Sequence, residues 1–74
     1  MLVKLEAYHD GEYWCARGIG QDVFTQGDSL DELMENVREA VSLHLDYVLE
    51  AGDDLHILML SETEVKGVAE TSTG

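Results

Sequence analysis

The sequence predicts an α+β fold: a single β-β-β-α-β domain in which one long helix packs on a small mixed sheet of order 3-2-1-4. Three features predict it. Two strand-forming stretches flank Asp10-Gly11, a capped amphipathic run extends from Ser29 to Gly52, and a nearly unbroken apolar run spans Leu55 to Leu60. Residues 1–60 are read as the domain and 61–74 as a C-terminal tail, with Glu64 to Ala69 able to add a short extra strand.

The first two strands are expected at Leu2 to His9 and Glu12 to Gly18, joined by Asp10-Gly11 as a two-residue hairpin turn. Such a turn makes opposed residues sum to 21, so Val3, Leu5 and Ala7 share the core face with Gly18, Ala16 and Trp14. The other face carries Lys4, Glu6 and Tyr8 opposite Arg17, Cys15 and Tyr13. A Tyr8/Tyr13 pair would stabilise the hairpin by roughly 0.2–1 kcal/mol or present a contact surface. Gly18 to Gln21 supply a turn, and Asp22 to Gln26 return as a short third strand. The lone GxG there opens no helix and is not a phosphate loop.

Ser29 is the expected helix N-cap, with Glu32 completing an S-x-x-E capping box and Asp28, Asp31 and Glu32 complementing the positive end of the dipole. Leu30, Leu33, Met34, Val37, Ala40, Val41, His44, Leu45 and Val48 recur at helical spacing as a core-facing stripe. His44 is read there as a satisfied core residue. Gly52 ends the helix.

The opposite side of the helical wheel is a carboxylate strip of Asp31, Glu32, Glu35, Glu39, Asp46 and Glu50, with Arg38 its single base. Leu43 and Tyr47 sit one turn apart on the flank. A helix of about 22 residues would run about 33 Å against about 23 Å for a strand, so its last turns should overhang the sheet and offer Leu43 and Tyr47 to another chain.

Leu55 to Leu60 reads as a strand buried on both faces. A right-handed crossover from the first strand sets it parallel beside that strand, at an edge. An apolar edge is a pairing hazard, so edge-to-edge dimerisation or cover from the tail is expected.

With 16 acidic and 4 basic residues, the chain carries a net charge of −12. Nine acids and one base lie between Asp28 and Asp54, which places −8 of that charge in the helical segment. Such a surface repels phosphate, which disfavours direct nucleic-acid binding, and favours encounter with a basic protein or serves solubility. At 74 residues the core is small, and self-association or a partner is expected. No signal-peptide core or membrane-length apolar run is present, and the single Cys15 can form no internal disulfide, so a cytoplasmic location is expected.

No enzymatic constellation stands out. His9, His44, His56 and Cys15 lack paired metal-ligand spacing, and Cys15 has no activating turn or helix terminus beside it. Neither a catalytic site, a cofactor nor a metal is expected.

The stretch F24-T-Q-G-D-S-L-D-E-L33, followed by E35-N-V-R-E-A-V41, resembles the N-terminal domain of the HicB family of bacterial antitoxins, whose pattern is close to V-T-Q-G-D-T-L-E-E-A-x-x-N-x-x-E-A-I. Asp10-Gly11-Glu12-Tyr13 with Ala16 is similar to that family's D-G-G-Y-x-A hairpin. The resemblance covers residues 2–50. It implies a truncated ribonuclease-H-like domain without catalytic acids that masks a small basic RNase toxin of HicA type. Two differences stand out. Arg17 to Gln21 replace the family's P-x-L-P-G turn, and only a short tail follows the fourth strand where many relatives carry a DNA-binding segment, so operator binding is not expected.

The expected function is therefore an antitoxin-like, non-enzymatic and dimeric binding module. Its partner-binding residues would be Leu43, Tyr47, Glu39, Asp46, Glu50, Tyr8 and Tyr13. The alternatives are an orphan homo-oligomeric domain and a metal-dependent nuclease on the same fold.

Overall fold

A computed structural model describes residues 1–68. In chain order the elements are β1 (Leu2–His9), β2 (Trp14–Ile19), β3 (Phe24–Gly27), α1 (Leu30–His44), α2 (Asp46–Glu50) and β4 (His56–Ser61). The four strands form one sheet of order β3-β2-β1-β4, with β1 antiparallel to β2 and parallel to β4. This is the expected order. It follows from a hairpin, a second antiparallel return and one helical crossover.

The hairpin register differs from the expected one. Glu6 faces Arg17 and Ala7 faces Ala16, so opposed residues sum to 23, and the loop is Asp10 to Tyr13 rather than Asp10-Gly11 alone. The Asp10 side chain is the cause: its Oδ1 accepts from the amides of Tyr13 at 2.7 Å and Glu12 at 2.9 Å, wrapping the chain into a wider turn. A shift of two residues preserves the face of every side chain. Val3, Leu5, Ala7 and Ala16 are accordingly buried on one face, while Tyr8 now opposes Cys15 and the Tyr8/Tyr13 pair does not form.

At the helix start the Glu32 amide donates to Ser29 Oγ at 3.1 Å, as expected of the cap. The Glu32 carboxylate reaches back to the Asp28 amide at 3.0 Å, one residue before the usual target of a capping box. Gly27 lets β3 run directly under α1, because a Cβ there would stand 2.7 Å from the Leu33 amide nitrogen. Leu33, Val37, Val41 and Leu45 close the core over Val3, Leu5, Ala16 and Val23. Each such large side chain contributes about 1.5–3 kcal/mol by leaving water, so in so small a core each one matters.

The long helix is interrupted. Leu45 leaves helical geometry at φ −116° and ψ 34° while its side chain stays buried, and α2 starts at Asp46. The 15 residues of α1 extend about 22 Å, close to the roughly 26 Å of the 8-residue β1, so the expected overhang is absent. Leu49 of α2 lies in a cleft with Arg38, Val41, Ser42, Leu55 and Ile57, beside the start of β4. Gly52, at φ +85°, then ends α2: its amide donates to the Leu49 carbonyl and the Asp53 amide to that of Val48, a Schellman closure.

Three burial expectations are corrected. Leu30, at the first position of α1, is 47% exposed, His44 is exposed in its last turn, and no residue of β4 is buried on either face. Because α1 lies nearest to β3 and β2, Ile57 and Met59 are only half-covered and Leu58 and Leu60 are exposed. Residues 62–68 add no strand, and Ala69, the end of the expected extra strand, lies outside the described residues.

Candidate functional site

The helical side of the domain carries the densest charge. On α1, Asp31, Glu35 and Glu39 follow one another at four-residue spacing, a single row along the outer surface, and all are exposed. Asp46 and Glu50 form a second short row on α2, set off from the first by the break at Leu45. The ion pairs among the described residues are Glu6–Arg17, Glu64–Lys66 and Asp53 with the Met1 nitrogen, so none of these five carboxylates has an internal counter-ion. Glu32 is occupied at the cap. The rows are free to meet cations from outside.

Leu43 and Tyr47 are 71% and 62% exposed, but the break puts them on different helices rather than one turn apart. Leu43 borders two shallow clefts along the β3 side of α1, one with Thr25, Asn36, Glu39 and Ala40, the other with Asp22, Val23, Phe24, Ala40 and His44. Of the expected partner residues, the structure therefore brings Leu43 and Glu39 together. It leaves Asp46, Tyr47 and Glu50 on α2.

Tyr8 lies on the other side of the sheet. The register places Leu2, Lys4, Glu6 and Tyr8 of β1, Cys15, Arg17 and Ile19 of β2, Phe24 of β3 and Leu58 and Leu60 of β4 on the face away from α1. Leu2, Tyr8, Ile19, Phe24, Leu58 and Leu60 are all exposed there, Phe24 at 57%. At the centre Arg17 donates to Glu6 Oε1, with both Nε and Nη2 at 2.8 Å, and lies 6.0 Å from the Tyr8 ring. This is a bare apolar face around one ion pair. Sequence reasoning sets Lys4, Glu6, Tyr8, Cys15 and Arg17 on this face and proposes only its tyrosine, with Tyr13, for partner contact; Ile19, expected in the turn, joins it because β2 runs one residue further than expected.

Tyr13 belongs to neither surface; it ends the hairpin loop. Beside it, Cys15 is buried with Sγ 3.6 Å from Asp10 Oδ2. Burial and the adjacent carboxylate push the Cys15 thiol up, away from the thiolate that nucleophilic or metal chemistry requires. The amides of Tyr13 and Glu12 hold the Asp10 carboxyl below its ordinary range. His9 packs edge-on against Trp14, centroids 5.1 Å apart, and its Nδ1 accepts from the Gly11 amide. These are local contacts of the hairpin. Among the described residues no three of the His, Cys, Asp and Glu side chains converge as metal ligands, and no helix is long and apolar enough to cross a membrane.

The geometry defines a small sheet-and-helix domain with an acidic helical side and a bare apolar sheet face. A UPF0150 protein of Archaeoglobus fulgidus is 39% identical over 46 residues, covering 62% of this chain and 67% of that relative. The chain belongs to the UPF0150 family. No family model and no solved structure matches it.

Proposed function

We propose that this chain is a non-enzymatic, antitoxin-like binding module of HicB type that neutralises a small basic RNase by covering the surface with which that RNase holds RNA. The observation that carries this reading is the pair of exposed carboxylate rows, Asp31, Glu35 and Glu39 with Asp46 and Glu50, none of them paired within the described chain. The T-Q-G-D-S-L and E-N-V-R-E-A motifs at the same helix and membership of the UPF0150 family support it.

Carboxylates held on a rigid helix face raise the encounter rate with a cationic surface and exclude acidic competitors. Leu43 and Tyr47 beside them supply the apolar anchors that charge alone does not. Tyr8, on the opposite sheet face, lies outside this footprint.

The test is to mix the chain with a small basic protein encoded beside it. A complex should form, RNA cleavage by that protein should fall, and Glu35→Lys with Glu39→Lys should weaken binding more than about tenfold while leaving the helix signal unchanged. An absent complex, cleavage that continues in the complex, or affinity indifferent to the charge reversal would defeat the proposal. Cleavage of an RNA–DNA hybrid by this chain with Mg²⁺ or Mn²⁺ would instead make it a nuclease.

A further inference from the structure

We propose that β4 is the docking edge for a second copy of this chain, pairing antiparallel with its own counterpart so that two four-stranded sheets join into one of eight strands. The inference is independent of the partner bound by the helix.

The first ground is hydrogen bonding. β4 is paired on one side by β1, and among the described residues no backbone or side-chain group bonds to its other side. Residues 62–68 are exposed and without regular structure, so they do not cover it. An open strand of this length is a template for another strand.

The second ground is charge. Two chains of net charge −12 repel, so they can meet closely only where neither carries acids. Leu55 to Ser61 holds no acidic residue, and the flanking acids, Asp54 and Glu62, lie beyond the two ends of the strand.

The third ground is apolar surface on both faces of the strand. Ile57 and Met59 are only half-buried on the helix side, Ile57 next to Leu49 and Leu55, and Leu58 and Leu60 are more than 40% exposed on the bare face. A two-fold axis joining antiparallel edges stands perpendicular to the sheet, which keeps both copies' helices on the same face. Residues opposed across the joint must then share a face, so Leu58 and Leu60 meet only residues of the bare face and Ile57 and Met59 only residues of the helix face. Both half-open rows close at once.

The strand is about 20 Å long, and with its side chains covers roughly 400 Å² per copy, so the ladder alone falls short of the 1,200 Å² or more of a standard interface. The flank of Leu49 and Leu55 adds to it. The dimer should therefore be reversible in the micromolar range, and it should tighten with salt as repulsion is screened.

Sedimentation of the full chain across concentration tests this. The wild type should pass from one copy to two as concentration rises, more readily at high salt, and Leu58→Lys with Leu60→Lys should remain a single copy. Phe24→Lys, on the same face but the opposite edge, should still dimerise. A wild type that stays single at high concentration, a lysine variant that still pairs, or loss of pairing in the Phe24 variant would overturn the proposal. Amide exchange on the wild type decides the case without a variant. β4 amides should slow with concentration while those of β3 do not, and exchange at β4 independent of concentration would overturn it.

Discussion

The two edges of the sheet are built differently. β3 is 4 residues long, α1 lies along it, and the Asn36 side-chain amide donates to its Gln26 carbonyl at 2.8 Å. β4 is 6 residues long, carries no charge, and has nothing on its outer side among the described residues. An edge strand is a hazard in a monomer, and proteins blunt it by shortening, covering or charging it. Here one edge is shortened and covered and the other is left with none of these protections. The covered edge belongs to the core of the fold, and the open edge is available for assembly.

The same contrast orders the expected effects of substitution. Leu33, fully buried where α1 crosses the end of β3, should cost about 2–5 kcal/mol when replaced by alanine, measured by urea unfolding. Leu58→Ala on the open edge, where the side chain is 42% exposed, should cost well under that in the isolated chain. Equal losses at the two positions would break the distinction between a structural edge and an open one. Ser29→Ala, which removes the cap that starts the helix covering β3, should cost about 1 kcal/mol and fray the first turn. Asn36→Ala should cost about 0.5–1.5 kcal/mol and raise amide exchange along β3 specifically.

The smallest effect concerns the hairpin loop at the far end of both edges. Asp10 has a folded-state pKa below its ordinary 3.8, because the Tyr13 and Glu12 amides bond its charged form. Its contribution is therefore present above that value and is lost as pH falls through the folded pKa. NMR of the Glu12 and Tyr13 amides should show the loop loosening in acid before the sheet does. Replacing Asp10 with alanine should abolish that early step.

Much of the fold is legible in the sequence because its signals are local. The Ser29 cap, the apolar stripe and the Gly52 stop need only neighbouring residues, and the order 3-2-1-4 follows from connection rules. What escaped was set by tertiary context or by side-chain competition. Asp10-Gly11 signals a two-residue turn, but the Asp10 carboxylate captured two later amides and widened it. Leu43 to Tyr47 contain neither Gly nor Pro, so nothing local marks the break at Leu45, which instead keeps that side chain buried and turns Leu49 toward β4. The apolar run of β4 reads as buried because hydrophobicity does not report whether a strand has a neighbour.

The candidate site was legible in part. The carboxylate rows are visible on a helical wheel and stand exposed in the fold, whereas Tyr8 and Tyr13, assigned by alternation to the outer sheet face, do not form one surface because the wider turn leaves Tyr13 in the loop. Phe24, Leu58 and Leu60 joined the bare face through a register that no single stretch contains.

A division of labour between the acidic helix rows and the open β4 edge is the central claim. Its most direct test is sedimentation of three forms of the chain, wild type, Glu35→Lys with Glu39→Lys, and Leu58→Lys with Leu60→Lys, each with and without the basic protein encoded beside it. The helix variant should keep its self-association and lose the basic partner, with wild-type partner binding weakening as salt rises. The edge variant should lose self-association and keep the partner. Loss of both associations in either variant would contradict the claim.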